Sequence, residues 1–208
     1  MDDLLQRWTD LVGRSDRAED AGADLVERWS QPHRHYHGPD HLRAVLDAVD
    51  LLAAEAHDLH AVRLAAWFHD AVYEGHPGAD ERASAELARQ VLLWLGRPDD
   101  EAAEVARLVL LTTTHTTARG DADGAVLCDA DLAVLGGDPD RYAAYASAVR
   151  LDYAHVPDEE FRQGRMAVLE RLLDTRPLYR TALARGRWED SARRNLTTEL
   201  TLLRASSA

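Results

Sequence analysis

The chain has one cysteine, no lysine and no isoleucine among its 208 residues. Because Cys128 has no second cysteine to pair with, a fold held by internal disulfides is excluded. Aromatic residues make up only 6%, so a core must consist mainly of alanine, leucine and valine. Every apolar run is shorter than the ~18–20 residues that a membrane-spanning helix needs. The sequence therefore predicts a folded protein that does not cross a membrane.

The charge of the chain is strongly acidic. Aspartate and glutamate number 37 against 24 basic residues, all of them arginine, which gives a net charge of −13. Such a surface repels the phosphate backbone of extended nucleic acid. The start of the chain, Met1-Asp2-Asp3, lacks the basic and apolar regions of a signal peptide. We therefore expect a cytoplasmic protein whose partners include no extended nucleic acid; its oligomeric state is left open.

Apolar residues recur three and four positions apart in segments rich in alanine, leucine, glutamate and arginine, which favour helices. The alternation of β-branched residues that is typical of strands is absent. The sequence therefore predicts an all-α fold in a single domain over residues 1–208. The predicted helices lie near residues 2–12, 18–30, 39–56, 60–74, 80–95, 99–113, 125–135, 139–153, 158–174, 177–185 and 188–204.

Polar side chains interrupt several of the most apolar helical segments. His69 and Asp70 follow the apolar stretch 65–68, and such a pair on its own more often forms a buried hydrogen bond than a metal site. A metal site becomes the stronger interpretation because His41 opens another apolar helix and Asp131 lies in a third. Imidazole nitrogens and carboxylate oxygens are common ligands of divalent metal ions.

In their order along the chain, these residues resemble the HD-domain superfamily of metal-dependent phosphohydrolases. That family has a histidine, then a His-Asp pair, then a distant aspartate, each on a separate helix. His41 resembles the first histidine, and Trp67-Phe68-His69-Asp70 resembles the central pair. Asp129-Ala130-Asp131-Leu132 resembles the distal Asp-x-Asp, whose second member is the ligand. The resemblance implies an HD-type helical bundle with the metal ligands His41, His69, Asp70 and Asp131.

Segments outside these motifs are similar to one bacterial branch, the predicted metal-dependent HD phosphohydrolases. They are Tyr36-His37, Asp80-Glu81 and Arg193-Arg194-Asn195-Leu196. By this resemblance, a metal-site core covers about residues 33–135, and the C-terminal helices 139–204 pack on it.

The resemblance implies hydrolysis of a small phosphorylated molecule, such as a nucleotide, by metal-activated water. Two imidazoles and two carboxylates leave positions on a divalent ion open for water or substrate. The ion could be Mn, Co, Ni, Fe, Zn or Mg. Two alternatives remain open: a non-catalytic metal- or ligand-binding module, and a dinuclear iron oxygenase of HD type. The oxygenase needs further ligands, for which the candidates are His37, His76 and His115.

Four residues are candidates for the catalytic step. Glu74 is the first choice for a general acid or base, because it lies four residues beyond Asp70 on the predicted helix and would share its face. Asp70 itself could handle the proton, and Glu81 is a weaker candidate. His115, near the end of a predicted helix, is a candidate for binding the substrate phosphate.

Three further residues are expected close to the metal or the substrate. Asp129 and Asp131 lie ~200° apart around a helix, so both cannot face one ion. We therefore expect Asp129 to orient a ligand histidine by accepting its free ring N–H. His37 and Arg34 are expected near the substrate, Arg34 as a partner for phosphate.

Overall fold

The computed structural model describes residues 2–205, which form helices and connecting turns without a β-strand. The all-α prediction is confirmed. None of the described helices is both long enough and apolar enough to cross a membrane. The α-helices are α1 (Asp2–Val12), α2 (Asp16–Trp29), α3 (Pro39–Leu51), α4 (Leu59–Phe68), α5 (Asp80–Trp94), α6 (Asp99–Leu111), α7 (Ala122–Asp131), α8 (Pro139–Asp152), α9 (Asp158–Asp174) and α10 (Ala182–Ala205), with short 3-10 helices at Ala53–Glu55 and Leu132–Gly136.

Helix α4 lies at the centre of the bundle and contacts α1, α3, α5, α6 and α7. From Leu64 to Phe68 every residue of α4 is buried. The Trp67 ring packs edge-on against Trp8 with 5.3 Å between ring centroids, and its carbonyl accepts the indole N–H of Trp29 at 3.0 Å. Burial of each such large side chain contributes about 1.5–3 kcal/mol. This core therefore fixes the C-terminal end of α4, where the His-Asp pair follows.

The predicted helix 60–74 is wrong beyond Phe68, where α4 ends. A continued helix would need the amide of Glu74 to donate to the carbonyl of Asp70. Instead, the Asp70 carbonyl accepts a hydrogen bond from Arg34 at 2.6 Å, and the Glu74 amide donates to the buried Asp80 carboxylate at 3.0 Å. Gly75 and Gly78, with φ of +77° and +80°, then form the turns that lead into α5.

The prediction of two helices at 177–185 and 188–204 is wrong in two respects: residues 177–181 are not helical, and a single helix, α10, runs from Ala182 through Gly186. The start of α10 is fixed by Glu55, whose carboxylate accepts the amides of Ala182 and Leu183 at 2.7 and 2.8 Å. Further along α10, the Asn195 side chain donates to the carbonyls of Leu135 and Gly137, both at 2.9 Å. These bonds hold α10 against the segment that follows α7.

Candidate metal centre

Three side chains from separate helices meet beside the end of α4. His41 comes from the first turn of α3, His69 directly follows α4, and Asp131 is the last residue of α7. The two Nε2 atoms are 3.1 Å apart, and Oδ1 of Asp131 lies 3.2 Å from Nε2 of His41 and 3.6 Å from that of His69. Two ligands ~2.1 Å from one ion and at right angles to each other are about 3.0 Å apart. The spacing therefore suits a single ion.

Asp70 lies at the edge of the same group. Its Oδ2 is 3.3 Å from Nε2 of His69 and 3.8 Å from Nε2 of His41. The Asp70 side chain retains 18% exposure, whereas that of His69 has none. The structure thus brings three of the four expected ligands, His41, His69 and Asp131, into one group and places Asp70 beside its two histidines, with both carboxylates on the side nearer to solvent.

The hydrogen bonding of His69 leaves the ring nitrogen that faces the group free. Its Nδ1 lies 2.8 Å from the carbonyl of Ala66, which can only accept a hydrogen bond, so Nδ1 carries the proton. In the neutral ring, Nε2 then presents a lone pair toward His41 and Asp131. A backbone carbonyl on the outer nitrogen is a common arrangement for metal-binding histidines. If the two histidines are instead joined by a hydrogen bond between their Nε2 atoms, His41 must be the donor, because Nε2 of His69 carries no proton.

The electrostatics of the group also favour a bound cation. Burial lowers the pKa of His41, which keeps its imidazole neutral. Burial also lowers the pKa of His69, but the nearby charges of Asp70 and Asp131 outweigh it, so the net shift is upward. Burial raises the pKa of Asp131, yet hydrogen bonds from His115 and His41 hold it well below its usual range. Asp131 is therefore ionised at neutral pH.

His115 holds the second oxygen of Asp131. Its Nε2 lies 2.8 Å from Oδ2, which leaves Oδ1 directed at the two histidines. The backbone of His115 has a φ of 53°, in the left-handed region that few residues other than glycine adopt. Its expected contact with substrate phosphate stays a prediction, but its place as a partner of Asp131 is clear.

His37 is held by an aspartate that we did not single out in the sequence. Its Nδ1 lies 2.7 Å from Oδ2 of Asp152, and its ring stacks on Tyr73 with 4.2 Å between centroids. Asp152 has no side-chain exposure and also accepts the backbone amides of residues 35–37. Burial raises the pKa of Asp152, but the hydrogen bonds from His37 and from the backbone amides together outweigh it, and the net shift is downward. His37 is 20% exposed and its ring centroid lies 5.7 Å from that of His41; no residue within 2–205 forms a hydrogen bond with its Nε2.

Arg34 does not have the role expected from the sequence. Its guanidinium is buried and donates to the backbone carbonyls of His37, Asp70 and Ala71 at 3.2, 2.6 and 3.2 Å. These bonds fasten the loop before α3 to the turn after α4. Because its donors bind these carbonyls and the side-chain oxygen of Gln31, Arg34 is not free to bind a phosphate.

The expectation for Asp129 is also wrong. Its carboxylate, 1% exposed, accepts the backbone amides of Arg180 at 2.9 Å and Thr181 at 2.7 Å, and within the described residues it accepts no hydrogen bond from a ligand histidine. Asp129 and Asp131 do face different partners, as their spacing on a helix requires. Asp129 therefore joins α7 to the start of α10 and does not orient a metal ligand.

Glu74 and Glu81 lie in or next to the loop between α4 and α5. Glu74 is exposed, and the helical relation to Asp70 on which its candidacy depended is absent because α4 ends at Phe68. Glu81 is half-buried, and its Oε2 accepts the amide of Gly78. Neither side chain forms a hydrogen bond with the metal ligands within residues 2–205. Their catalytic roles stay predictions.

Comparisons with protein-family models, curated proteins and solved structures gave no match for this chain. The resemblance to the HD superfamily therefore depends on the motif residues alone.

Proposed function

We propose that this chain is a divalent-metal-dependent phosphohydrolase of HD type that acts on a small phosphorylated molecule such as a nucleotide. The observation that supports it best is the convergence of two imidazoles and two carboxylates from α3, α7 and the end of α4. Structural zinc sites are usually closed by four ligands, many of them cysteine, whereas catalytic sites keep a position open. The part-exposed carboxylates fit the second kind.

His41, His69, Asp70 and Asp131 would hold the ion. Two neutral histidines and two carboxylates balance the charge of a divalent cation, and the free lone pair of His69 is a ready ligand. When bound, such an ion polarises a phosphoryl oxygen and lowers the pKa of a coordinated water.

His37 is the residue that can move a proton. With its Nδ1–H fixed on Asp152, Nε2 can take a proton from a water molecule and later give it to the leaving group. The stacking on Tyr73 fixes the plane of the ring. We therefore place His37 ahead of Glu74 as the general base, with Asp70 as the next candidate.

The experiment that tests this function is metal analysis of protein purified without chelator, followed by a screen of phosphorylated metabolites. We expect phosphate release with Mn²⁺, Co²⁺, Ni²⁺ or Mg²⁺, and none in EDTA. His69→Ala should lose both the metal and turnover, whereas His155→Ala, which replaces an exposed histidine, should keep both. Full turnover by His69→Ala would rule out the proposal. A pair of irons per chain with oxygen consumption would instead indicate the oxygenase.

A further inference from the structure

A second cleft lies outside the metal centre. Its volume is about 620 Å³, and it is bordered by the loop before α7, by the residues that lead into α10, and by Glu55 and His57. Pockets for small molecules typically measure about 300–1,000 Å³. None of the four proposed metal ligands lines this cleft. Any site here is therefore a separate one.

The two acidic residues that line the cleft already have partners in the protein. Glu55 accepts the amides of Ala182 and Leu183 at the start of α10. Asp121 accepts two hydrogen bonds from Arg107, the shorter at 2.8 Å, and one from the amide of Gly124. The acceptor oxygens of both residues are therefore engaged before any ligand binds, and the charge of Asp121 is paired with that of Arg107.

The side-chain donors of the two arginines of the cleft are not engaged in this way. Among residues 2–205, neither Arg119 nor Arg180 forms an ion pair or a side-chain hydrogen bond. Nε of Arg180 is buried without a hydrogen-bond partner, and the backbone amide of this residue is fixed on Asp129. In a chain with a net charge of −13, this cleft thus carries two guanidiniums whose side-chain donors the described part of the protein does not use.

Neutral donors surround these two charges. Thr117 lines the cleft, and the amides of residues 117–120 donate to no residue within 2–205. Gly120, with a φ of +85°, turns this loop along the rim. Guanidinium groups, hydroxyls and free amides together match the several acceptor oxygens of a phosphoryl group.

We propose that this cleft binds a phosphorylated small molecule, with its phosphoryl oxygens on Arg119 and Arg180. The proposal goes beyond the proposed hydrolase function and does not depend on it, because it uses none of the metal ligands.

The test is calorimetric titration of pyrophosphate into metal-free protein at low salt, where charge interactions are screened least. The chain is stripped with chelator and dialysed, so that a metal-bound mode does not contribute. We expect binding that weakens about ten- to a hundred-fold in Arg119→Gln and in Arg180→Gln, since each loses a charge-assisted partner. Arg171→Gln, which replaces an exposed arginine on α9 outside the cleft, should bind like the wild type. Absence of binding, or equal affinity in all three variants, would overturn the proposal.

A second measurement covers the case in which Arg180→Gln does not fold. Arg119 is exposed, so its variant is expected to fold in any event. In the wild type, pyrophosphate should slow hydrogen exchange in residues 117–122 and leave residues 39–43 unchanged. Protection confined to the segments that carry the metal ligands would contradict the cleft. Binding by His69→Ala equal to that of the wild type is also expected, so failure of the metal site and failure of the cleft can be told apart.

Discussion

Asp129 and Asp131 are two residues apart on α7 but serve different partners, which makes them a matched pair for substitution. Asp131 faces the histidines, whereas Asp129 binds the backbone ahead of α10. Changing either to asparagine keeps the size of the side chain, removes the charge and turns one acceptor oxygen into a donor. The two variants should therefore fail in different assays.

Asp131→Asn should lose the metal. The carboxylate supplies a charged ligand through Oδ1 and is held by His115 through Oδ2. Loss of an outer partner of a metal ligand typically costs about 10–100-fold in affinity, so loss of a charged ligand itself should cost more. An asparagine oxygen can still accept the bond from His115, but the charge that His115 and His41 stabilise is lost, so metal content and not stability is the readout that identifies this variant.

Asp129→Asn should lose stability and keep the metal. The buried carboxylate accepts the backbone amide of Arg180 through both oxygens and that of Thr181 through one. In asparagine, the side-chain NH2 replaces one oxygen, so it must face a backbone N–H that is also a donor. An unsatisfied buried group costs about 1–3 kcal/mol. Burial raises the pKa of Asp129 even though the amides of Thr181 and Arg180 oppose it, so the neutral variant avoids part of the desolvation cost. We therefore expect the lower half of that range.

The assay is metal content per chain together with thermal unfolding followed by circular dichroism. For a chain of this size, each kcal/mol lowers the midpoint of unfolding by about 2–4 °C. Asp129→Asn should thus unfold a few degrees below the wild type with its metal bound, and Asp131→Asn should be metal-free. A metal-free Asp129→Asn of normal stability beside a metal-loaded Asp131→Asn would refute this assignment of the two carboxylates.

Two further predictions concern other carboxylates. Asp152→Asn should lower kcat for phosphate release by about 10–100-fold with metal content unchanged, because His37 loses the partner that fixes its proton. A full rate in this variant would contradict the role given to His37. The control is Asp158→Asn, which changes an aspartate at an exposed site. Glu189→Gln should destabilise the protein at pH 7 by about 1–3 kcal/mol, because Glu189 accepts the amides of Leu178 and Tyr179. Burial raises the pKa of Glu189, but the hydrogen bonds from these amides and from Arg193 outweigh it, so the pKa lies below its ordinary value of 4.5. The stabilisation is therefore present above pH 4.5 and is lost as the pH falls through the lowered pKa. The difference in unfolding free energy between wild type and Glu189→Gln, measured by urea denaturation, should be smaller at pH 3 than at pH 7. An equal difference at the two pH values would contradict the assignment.

Local signals in the sequence were enough for most helices. The start of α8 follows from Asp138 and Pro139, a capping carboxylate before a proline, and the structure has both in those places. The end of α4 could not be predicted in this way. It is fixed by Arg34 and Asp80, which replace the next helical hydrogen bond from outside the helix.

That the candidate ligands lie close together could be expected from the order of the motifs, which resembles the HD pattern, and from their places in apolar helical segments. Asp152 could not be paired with His37, since 115 residues separate them and no spacing rule applies. One weak signal was available. Asp152 is the last residue of α8, where the helix dipole disfavours a negative charge. A carboxylate in that position indicates a partner outside its own helix.

The ligand-bearing segments all lie at helix ends, where backbone groups lack helical partners. Buried charged side chains supply those partners here, and their targets are backbone atoms more often than other side chains. Arg34 binds carbonyls on both sides of the His-Asp turn, and Asp152 binds the amides that precede α3. The positions of His41 and His69 therefore depend on charged side chains that form no hydrogen bond with either histidine. This explains why sequence reasoning assigned Arg34 to the substrate. In the sequence, an arginine beside a metal centre looks the same whether it binds backbone carbonyls or a phosphate. Only the acceptors of its hydrogen bonds, which the structure shows, distinguish the two roles.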